Sequence, residues 1–365
     1  MVFTMDNRIV VVIPSYEPDD RFKELIKELQ AEQCNVLVID DGSDSIRFRR
    51  YFDEAEQRGC YVIHHPCNMG KGAALKTAFR YILNDMPDVI GCVTVDSDGQ
   101  HSIPDTIHVS EELVMHPDAL VLGCRVFDPK IVPFKSRAGN NITRFVFRVF
   151  CGMSLMDTQT GLRGISRQFM EQCLKNKYDR FEYETQMLFD ARDLKMDIVE
   201  VPIETIYDSK EKHLTHFNPF KDSVRIYKLI FGEFFRYIAS SLVSAVFDIL
   251  LFWFLSFMAH DRMGIVMASV FARCISGCFN YVLNMTAVFD CREHKAESAA
   301  KYAVLFAVNL CLSSFCVAYF VDRIGYGNVR IVVKIVVDSI IFMMNYFVQK
   351  YLVFKKGDLN SDEKE

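Results

Sequence analysis

The sequence predicts a doubly wound, mostly parallel α/β domain followed by an all-α membrane domain of four transmembrane helices. Three observations predict it. Short apolar runs alternate with amphipathic helical patterns through about the first 200 residues, the order that βαβ units require. Polar stretches rich in Asp, Gly and Ser follow those runs, where open α/β sheets gather ligand groups. After Glu233 the mixed, charged sequence gives way to long apolar runs rich in Phe, Val and Ile. Each is long enough to cross a hydrocarbon core of about 30 Å.

In chain order, residues 8–15 read as a buried strand, 20–32 as an amphipathic helix and 35–40 as a second strand. A helix follows Ser43, then a strand near 60–64, a helix over 71–83 and a buried strand over 89–95. Pro104 favours the first turn of the next helix, and 182–193 reads as another helix. The apolar segments near 234–258, 264–289, 299–321 and 330–354 read as spans, helical because lipid leaves no other partner for backbone groups. The expected domains are 1–217, a basic juxtamembrane linker 218–233, a membrane domain 234–356 and a polar tail 357–365.

The length of 365 residues suits two or three domains, and a mean hydropathy of +0.10 reflects the uneven apolar second half. A net charge of −5 gives no reason to expect nucleic acid. The twelve cysteines lack Cys-x-x-Cys pairs and zinc-spaced histidines, so a reducing compartment is expected rather than a disulfide framework. The apolar run 9–13 is too short for a secretory signal, which places the first domain in the cytoplasm by expectation.

Four stretches fall at strand ends: Pro14-Ser15-Tyr16-Glu17, Asp40-Asp41-Gly42-Ser43, Asn68-Met69-Gly70-Lys71-Gly72 and Asp96-Ser97-Asp98-Gly99-Gln100-His101. Each alone reads equally as turn chemistry. Together they read as a nucleotide site: a carboxylate after the second strand accepts from a base or ribose, and Lys71 with its glycines approaches closely. Asp96 and Asp98 offer the oxygen ligands that a divalent cation on a diphosphate prefers. No Gly-x-x-x-x-Gly-Lys-Ser/Thr loop is present, nor a Gly-x-Gly-x-x-Gly after the first strand.

These motifs, with Val11-Val12-Ile13 before the first, Gly123-Cys124-Arg125, Asp157-Thr158-Gln159-Thr160-Gly161-Leu162-Arg163 and Val199-Glu200-Val201-Pro202-Ile203, resemble the family 2 glycosyltransferases of GT-A fold. The resemblance is to the dolichyl- and polyprenyl-phosphate sugar transferases and covers nearly all of 8–225. It implies that Pro14, Tyr16, Glu17, Asp40 and Asp41 hold the base and ribose of a UDP- or GDP-linked sugar. It implies that Asp96, Asp98 and Gln100 place Mg²⁺ or Mn²⁺ against the diphosphate, with Arg125, Arg137 and Arg163 facing the reacting phosphates. Glu184 either orients the donor sugar or lies on a solvated helix face. The dolichol enzymes' Gly-x-Ser-Lys is matched only by Ser209-Lys210, without the glycine.

Residues 133–153 interleave Lys135, Arg137, Arg144 and Arg148 with Phe145, Val146, Phe147, Val149 and Phe150. That mixture suits a membrane interface, the alternative being a core helix with a charged outer face. The basic residues Lys221, Arg225 and Lys228 extend toward the apolar half. There, Arg236-Tyr237 recurs as Lys301-Tyr302, Asn280-Tyr281 as Asn345-Tyr346 and Val288-Phe289 as Val353-Phe354, at one constant offset. Two spans per copy imply a parallel duplication. This half resembles the GtrA-like four-helix membrane proteins, which implies handling of polyprenyl-phosphate sugars. Arg292, Lys295, Lys301, Lys350, Lys355 and Lys356 place both termini and the enzyme in the cytoplasm.

Asp248, Arg273, Lys334 and Asp338 fall inside the spans, as a structural ion-pair set or as a lipid-phosphate site. The expected function is metal-dependent, inverting transfer of a sugar from a nucleotide-sugar to polyprenyl phosphate on the cytoplasmic face, for cell-envelope glycosylation. The membrane domain either presents and translocates the product or serves as a passive anchor, and a homo-oligomer is left open. A polysaccharide synthase is the other reading, but its Gln-x-x-Arg-Trp is absent and there is one Trp.

Overall fold

In the computed structural model, residues 5–125, 134–204, 221–257, 262–291, 295–324 and 329–354 are described. Within these, the side chains of 134–138, 221–222, 310, 313–314, 317–318, 321–322, 324 and 329–331 lie outside the description. The chain divides into two compact units, Met1–Ile230 and Phe231–Glu365.

The first unit is built on β1 (Ile9–Ser15), whose seven side chains are all buried. A run buried on both faces marks a central parallel strand. The elements continue as α1 (Asp20–Ala31), β2 (Asn35–Asp40), α2 (Arg49–Gln57), β3 (Tyr61–His64), α3 (Lys71–Asp85), β4 (Gly91–Thr94) and α4 (Ile103–Met115). Then come β5 (Leu120–Arg125), α5 (Phe134–Val146), β6 (Arg163–Ser166), α6 (Arg167–Cys173), α7 (Glu182–Asp193), β7 (Ile198–Ile203) and α8 (Lys221–Ile230). Among the described residues the strands form one sheet in the order β3-β2-β1-β4-β6-β5-β7. All pairings are parallel except those of β6, which runs antiparallel to β4 and β5. The doubly wound, mostly parallel sheet is the one the alternation predicts.

The helices start and stop where their caps dictate. Asp19 accepts from the Arg21 N–H before α1, whose apolar spacing buries Phe22, Leu25, Ile26 and Leu29. Ser102 accepts from the Asp105 N–H before α4, with a proline in its first turn. The end of α3 is held by Arg167, at the start of α6. Its Nη1 donates to the carbonyls of Ile82, Met86 and Val89 at 3.3, 3.0 and 3.0 Å, and its Nη2 to Leu83 at 2.7 Å. One cation thereby satisfies the carbonyls that a helix leaves open at its C-terminus. The segment expected at a membrane interface has a core face, with Val146 and Phe147 buried and the Phe147 ring 5.8 Å from that of Phe189. Its outer face shows Ile142 and Phe145, 58% and 64% exposed. Helix α8, inside the stretch expected as a linker, belongs to the first unit.

The second unit contains α9 (Gly232–Ser256), α10 (Arg262–Leu283), α11 (Lys295–Ile324) and α12 (Val329–Val348). Among the described residues, Gly232–Ser256, Arg262–Val288 and Val332–Val353 are long and apolar enough to cross a membrane. The fourth expected span falls within α11, several of whose side chains are not described. Helices α10 and α12 each end in a π-helical turn, Asn284–Val288 and Gln349–Val353, at equivalent places in the duplication. The contacts repeat too. The Tyr237 and Tyr346 rings lie 5.4 Å apart, and so do their counterparts Tyr302 and Tyr281. Asn284 Nδ2 donates to Gln349 Oε1 at 2.9 Å, two side chains 65 residues apart and equivalent to each other. Their counterpart rings Phe289 and Phe354 stack at 5.1 Å. Contacts that map onto their own counterparts define an approximate two-fold relation between the hairpins α9–α10 and α11–α12.

Replacing Arg167 by Met is expected to cost about 2–3 kcal/mol, because it strips one charged donor from four partly buried carbonyls. Chemical denaturation of the first unit, with α3 followed by hydrogen exchange, checks this.

Candidate active site

The carboxyl ends of β1, β2 and β4, together with the amino end of antiparallel β6, meet at one edge of the sheet. A cleft of about 440 Å³ opens there. Of the residues singled out from the sequence, Pro14, Tyr16, Asp41, Lys71, Asp96, Asp98, Gln100, Arg125, Arg163 and Glu184 line it. Glu17 and Asp40 do not.

Asp40 is the last residue of β2 and turns toward β3. Its Oδ1 accepts from the Ser43 N–H at 2.9 Å, and its Oδ2 lies 2.7 Å from His64 Nδ1. Alternation along the strand sends the next carboxylate to the other face. Asp41 is buried there, with Oδ1 accepting from Met69 N–H at 3.0 Å and Oδ2 from Gly70 N–H at 2.8 Å. The His65 ring braces Asp41, Nδ1 standing 2.9 Å from Oδ1 and Nε2 2.9 Å from Thr77 Oγ1. Glu17 sits at φ 49° with its N–H donating to Ser43 Oγ at 2.8 Å, so it shapes the turn that presents Tyr16.

The second half of the cleft is organised by charge. Lys71 Nζ, at the start of α3, bridges Asp96 Oδ1 at 2.6 Å and Glu184 Oε1 at 2.9 Å. Burial alone would push the ammonium down, but the charges of Asp96 and Glu184 hold its pKa above the ordinary lysine range. Burial likewise opposes ionisation of Asp96, and Lys71 with His101 overcomes it, leaving that carboxylate well below its usual range. Asp98 moves the other way: burial, then the charge on Asp96, raises it. Asp96 also has glycine behind it. A Cβ on Gly161 would overlap the Asp96 carboxylate, so any larger residue there pushes that carboxylate from its place. The His101 ring is buried beside them, Nε2 3.7 Å from Asp96 Oδ2. Neither ring nitrogen has a hydrogen-bond partner among the described residues.

Arg125, at the end of β5, faces the cleft while Asp157 grips it from beneath, at 2.6 Å from Nε and 3.2 Å from Nη2. Asp157 is fully buried. Arg163 is 1% exposed, its Nε donating to the Thr160 carbonyl at 2.9 Å and its Nη1 to that of Glu184 at 2.6 Å. It ties the loop before β6 to the first turn of α7, which makes it a strut of the cleft wall. Arg137 lies in α5, and its side chain is outside the described residues. So is Ser209-Lys210. Sequence reasoning missed His65, His101 and Asp157 as individuals. Asp157 opens and His101 closes motifs already singled out, whereas His65 carries no local signal, because only the fold brings it beside Asp41.

Among the described residues no three His, Cys, Asp or Glu side chains converge as a complete metal cage. Asp96, Asp98 and Gln100 line the cleft together as oxygen donors instead. Such a set fits a hard divalent ion that completes its shell with diphosphate oxygens and water.

A mostly parallel sheet with this acid-and-cation cleft, in a chain that also bears a unit of apolar helices, is that of an α/β enzyme carried by a membrane protein. The chain belongs to glycosyl transferase family 2, whose model matches residues 10–174, and it continues in a GtrA/DPMS transmembrane domain matched over 220–354. It is a glycosyltransferase. An uncharacterized protein of Methanocaldococcus jannaschii is 31% identical over 206 residues, 55% of this chain and 82% of that one. The UDP-N-acetylglucosamine–dolichyl-phosphate N-acetylglucosaminyltransferase of Methanococcus voltae is 28% identical, over 55% of this chain and 87% of its own. Among solved structures, glucosyl-3-phosphoglycerate synthase from Mycobacterium tuberculosis matches with a TM-score of 0.46 and 16% identity, over 61% of this chain and 78% of its own.

Gly161→Ala is expected to displace Asp96 and to weaken binding of the nucleotide-sugar donor by tenfold or more, about 1.4 kcal/mol. Calorimetric titration of the full chain checks it, with a far-ultraviolet spectrum showing that the sheet is retained.

Proposed function

We propose that the chain transfers a sugar, with inversion, from a UDP- or GDP-linked donor to a polyprenyl phosphate at the cytoplasmic membrane face, with Mg²⁺ or Mn²⁺ bound. One observation carries the reading: the cleft that gathers Asp96, Asp98, Lys71 and Arg125 belongs to a chain that also bears a transmembrane domain. The names of the Methanococcus relative, a dolichyl-phosphate transferase, and of a Klebsiella pneumoniae relative, an undecaprenyl-phosphate 4-deoxy-4-formamido-L-arabinose transferase 28% identical over 116 residues, support the acceptor class.

In this reading Asp41, braced by His65, takes a base or ribose donor, and Tyr16 and Pro14 flank it. Asp96, Asp98 and Gln100 hold the metal, which when bound offsets charge on the leaving diphosphate. Lys71 and Arg125 add fixed positive charge at the same place, where negative charge develops on the leaving diphosphate during bond cleavage. Asp157 keeps Arg125 in one rotamer and so lowers the cost of ordering it. Glu184, ion-paired with Lys71 at 2.9 Å, orients the donor sugar. A phosphate acceptor is anionic near neutral pH and attacks the anomeric carbon directly, so the site needs no strong base. Lys295, Lys301 and Lys350 lie at one side of the spans and support a cytoplasmic enzyme, four spans and cytoplasmic termini.

Membranes bearing the full chain, given radiolabelled nucleotide-sugars one at a time with polyprenyl phosphate, are expected to yield a lipid-extractable, mild-acid-labile sugar from one donor. Label that stays out of the lipid phase with every donor defeats the acceptor assignment. Asp98→Asn is expected to lower turnover at least a hundredfold, about 2.7 kcal/mol of barrier, at unchanged melting temperature. A fragment of residues 1–230 is expected to keep nucleotide affinity within about threefold while losing far more activity on long-chain lipid in vesicles. Equal activity of fragment and full chain on that lipid would show the spans to be a passive anchor.

A further inference from the structure

The Gly70-Lys71-Gly72 turn at the start of α3 leaves room that the protein's own chain fills. A Cβ on Gly70 would overlap the Asp179 carbonyl oxygen and lie 2.7 Å from Arg180 Cγ, and one on Gly72 would lie 2.5 Å from Tyr183 Cβ. The segment before α7 is therefore seated on the first turn of α3, and polar contacts hold it there. The Ala73 N–H donates to the Asp179 carbonyl at 2.9 Å, and Lys76 Nζ, on a side chain 8% exposed, meets Asp179 Oδ1 at 2.8 Å. The Tyr183 N–H donates to the Arg180 carbonyl at 3.0 Å. With its backbone fixed from both sides, Arg180 passes Gly70 and lines the cleft beside Asn68 and Phe181. That place lies between the two ends of the cleft. On one side the Gly70 N–H donates to Asp41 Oδ2, and on the other Glu184 meets Lys71, which bridges to Asp96.

We propose that Arg180 binds the diphosphate of the nucleotide-sugar donor and that the Lys76–Asp179 pair positions it, a step that rests on the donor class proposed above. With a nucleoside at Asp41 and a metal-bound diphosphate at Asp96 and Asp98, the diphosphate runs past Arg180. The other cations of the cleft are already engaged. Lys71 lies between two carboxylates, Arg125 is gripped by Asp157, and Arg163 gives Nε and Nη1 to backbone carbonyls. Arg180 makes one hydrogen bond among the described residues, Nη1 to Asn68 Oδ1 at a long 3.4 Å, and no ion pair. Its guanidinium therefore keeps donors for two oxygens of a phosphate, a bidentate fit that a single ammonium does not offer. It is also exposed, whereas the Lys71 side chain is 14% exposed, so an anion entering from solvent meets Arg180 first. The glycines of the turn serve this arrangement by letting the Asp179–Arg180 backbone approach α3.

The test uses the full chain in phosphatidylcholine nanodiscs, in buffer containing Mg²⁺. Titration calorimetry with UDP and with GDP finds the diphosphate bound more tightly, and displacement calorimetry gives the affinity of its bare nucleoside. Arg180→Gln is expected to weaken the diphosphate about tenfold and the nucleoside less than about twofold, the loss of one charged hydrogen-bonding partner, and Arg180→Lys to recover part of it. Equal losses on diphosphate and nucleoside would place Arg180 at the base and overturn the proposal. So would undiminished diphosphate affinity in a folded Arg180→Gln protein. Asp179→Asn tests the positioning: alone it should weaken the diphosphate severalfold, and in the Arg180→Gln background it should add no further loss. A further loss in that background would show that the pair acts other than through Arg180 and would overturn its positioning role. A wild-type chain that binds neither UDP nor GDP removes the donor class together with this proposal, whereas tight binding indifferent to Arg180 removes this proposal alone.

Discussion

The carboxylate of Asp96 is the point on which the catalytic unit depends, because it is half-buried in the cleft and paired with a buried ammonium. A buried charge persists only when opposite charge and shape are both supplied. Lys71 supplies the charge from the start of α3, and Gly161 supplies the room by having no side chain. These come from three separate places in the chain, so the site exists only when β4 lies beside β6 and α3 packs on β1 and β2. The single antiparallel strand has its meaning here. By reversing direction, β6 delivers Gly161 and Arg163 to the edge where its parallel neighbours end.

Around that point the unit keeps acids and cations in interlocking pairs. Asp41 is held by two backbone N–H groups and a histidine, Arg125 by Asp157, and Arg163 by two carbonyls. Each pairing freezes a long or rotatable side chain before any substrate arrives, which is the preorganisation that makes fixed charge effective. Arg163 is instructive, since its donors are turned to the protein's own backbone. Its contribution is to fix the position of Glu184 and the first turn of α7.

The membrane unit solves a different problem with the same economy. Two hairpins related by duplication bury polar groups against each other's equivalents, so Asn284 and Gln349, both buried, hydrogen-bond one another. The charged residues break the relation. Arg273 corresponds to Asp338, and Glu233, which accepts from the Tyr346 hydroxyl at 2.9 Å, corresponds to Ser298, which meets Tyr281 at 2.8 Å. A scaffold that stays symmetric while its charges diverge gives the two halves distinct electrostatics at matched depth.

By itself the sequence determined the alternation of strands and helices, the four polar strand ends, the shift to apolar spans and the duplication. All of these are local or periodic, and periodicity survives without tertiary contacts. Only the tertiary structure decided that Asp41 faces the cleft while Asp40 turns to His64, since the two are adjacent and alike in sequence and strand alternation alone separates them. It alone placed His65 and His101 beside their carboxylates, set Asp157 under Arg125, and turned β6 against its neighbours. The reason is physical: a side chain's role in a buried site depends on which charge stands within about 4 Å of it, and that distance is fixed by strand order and packing between residues far apart in the chain.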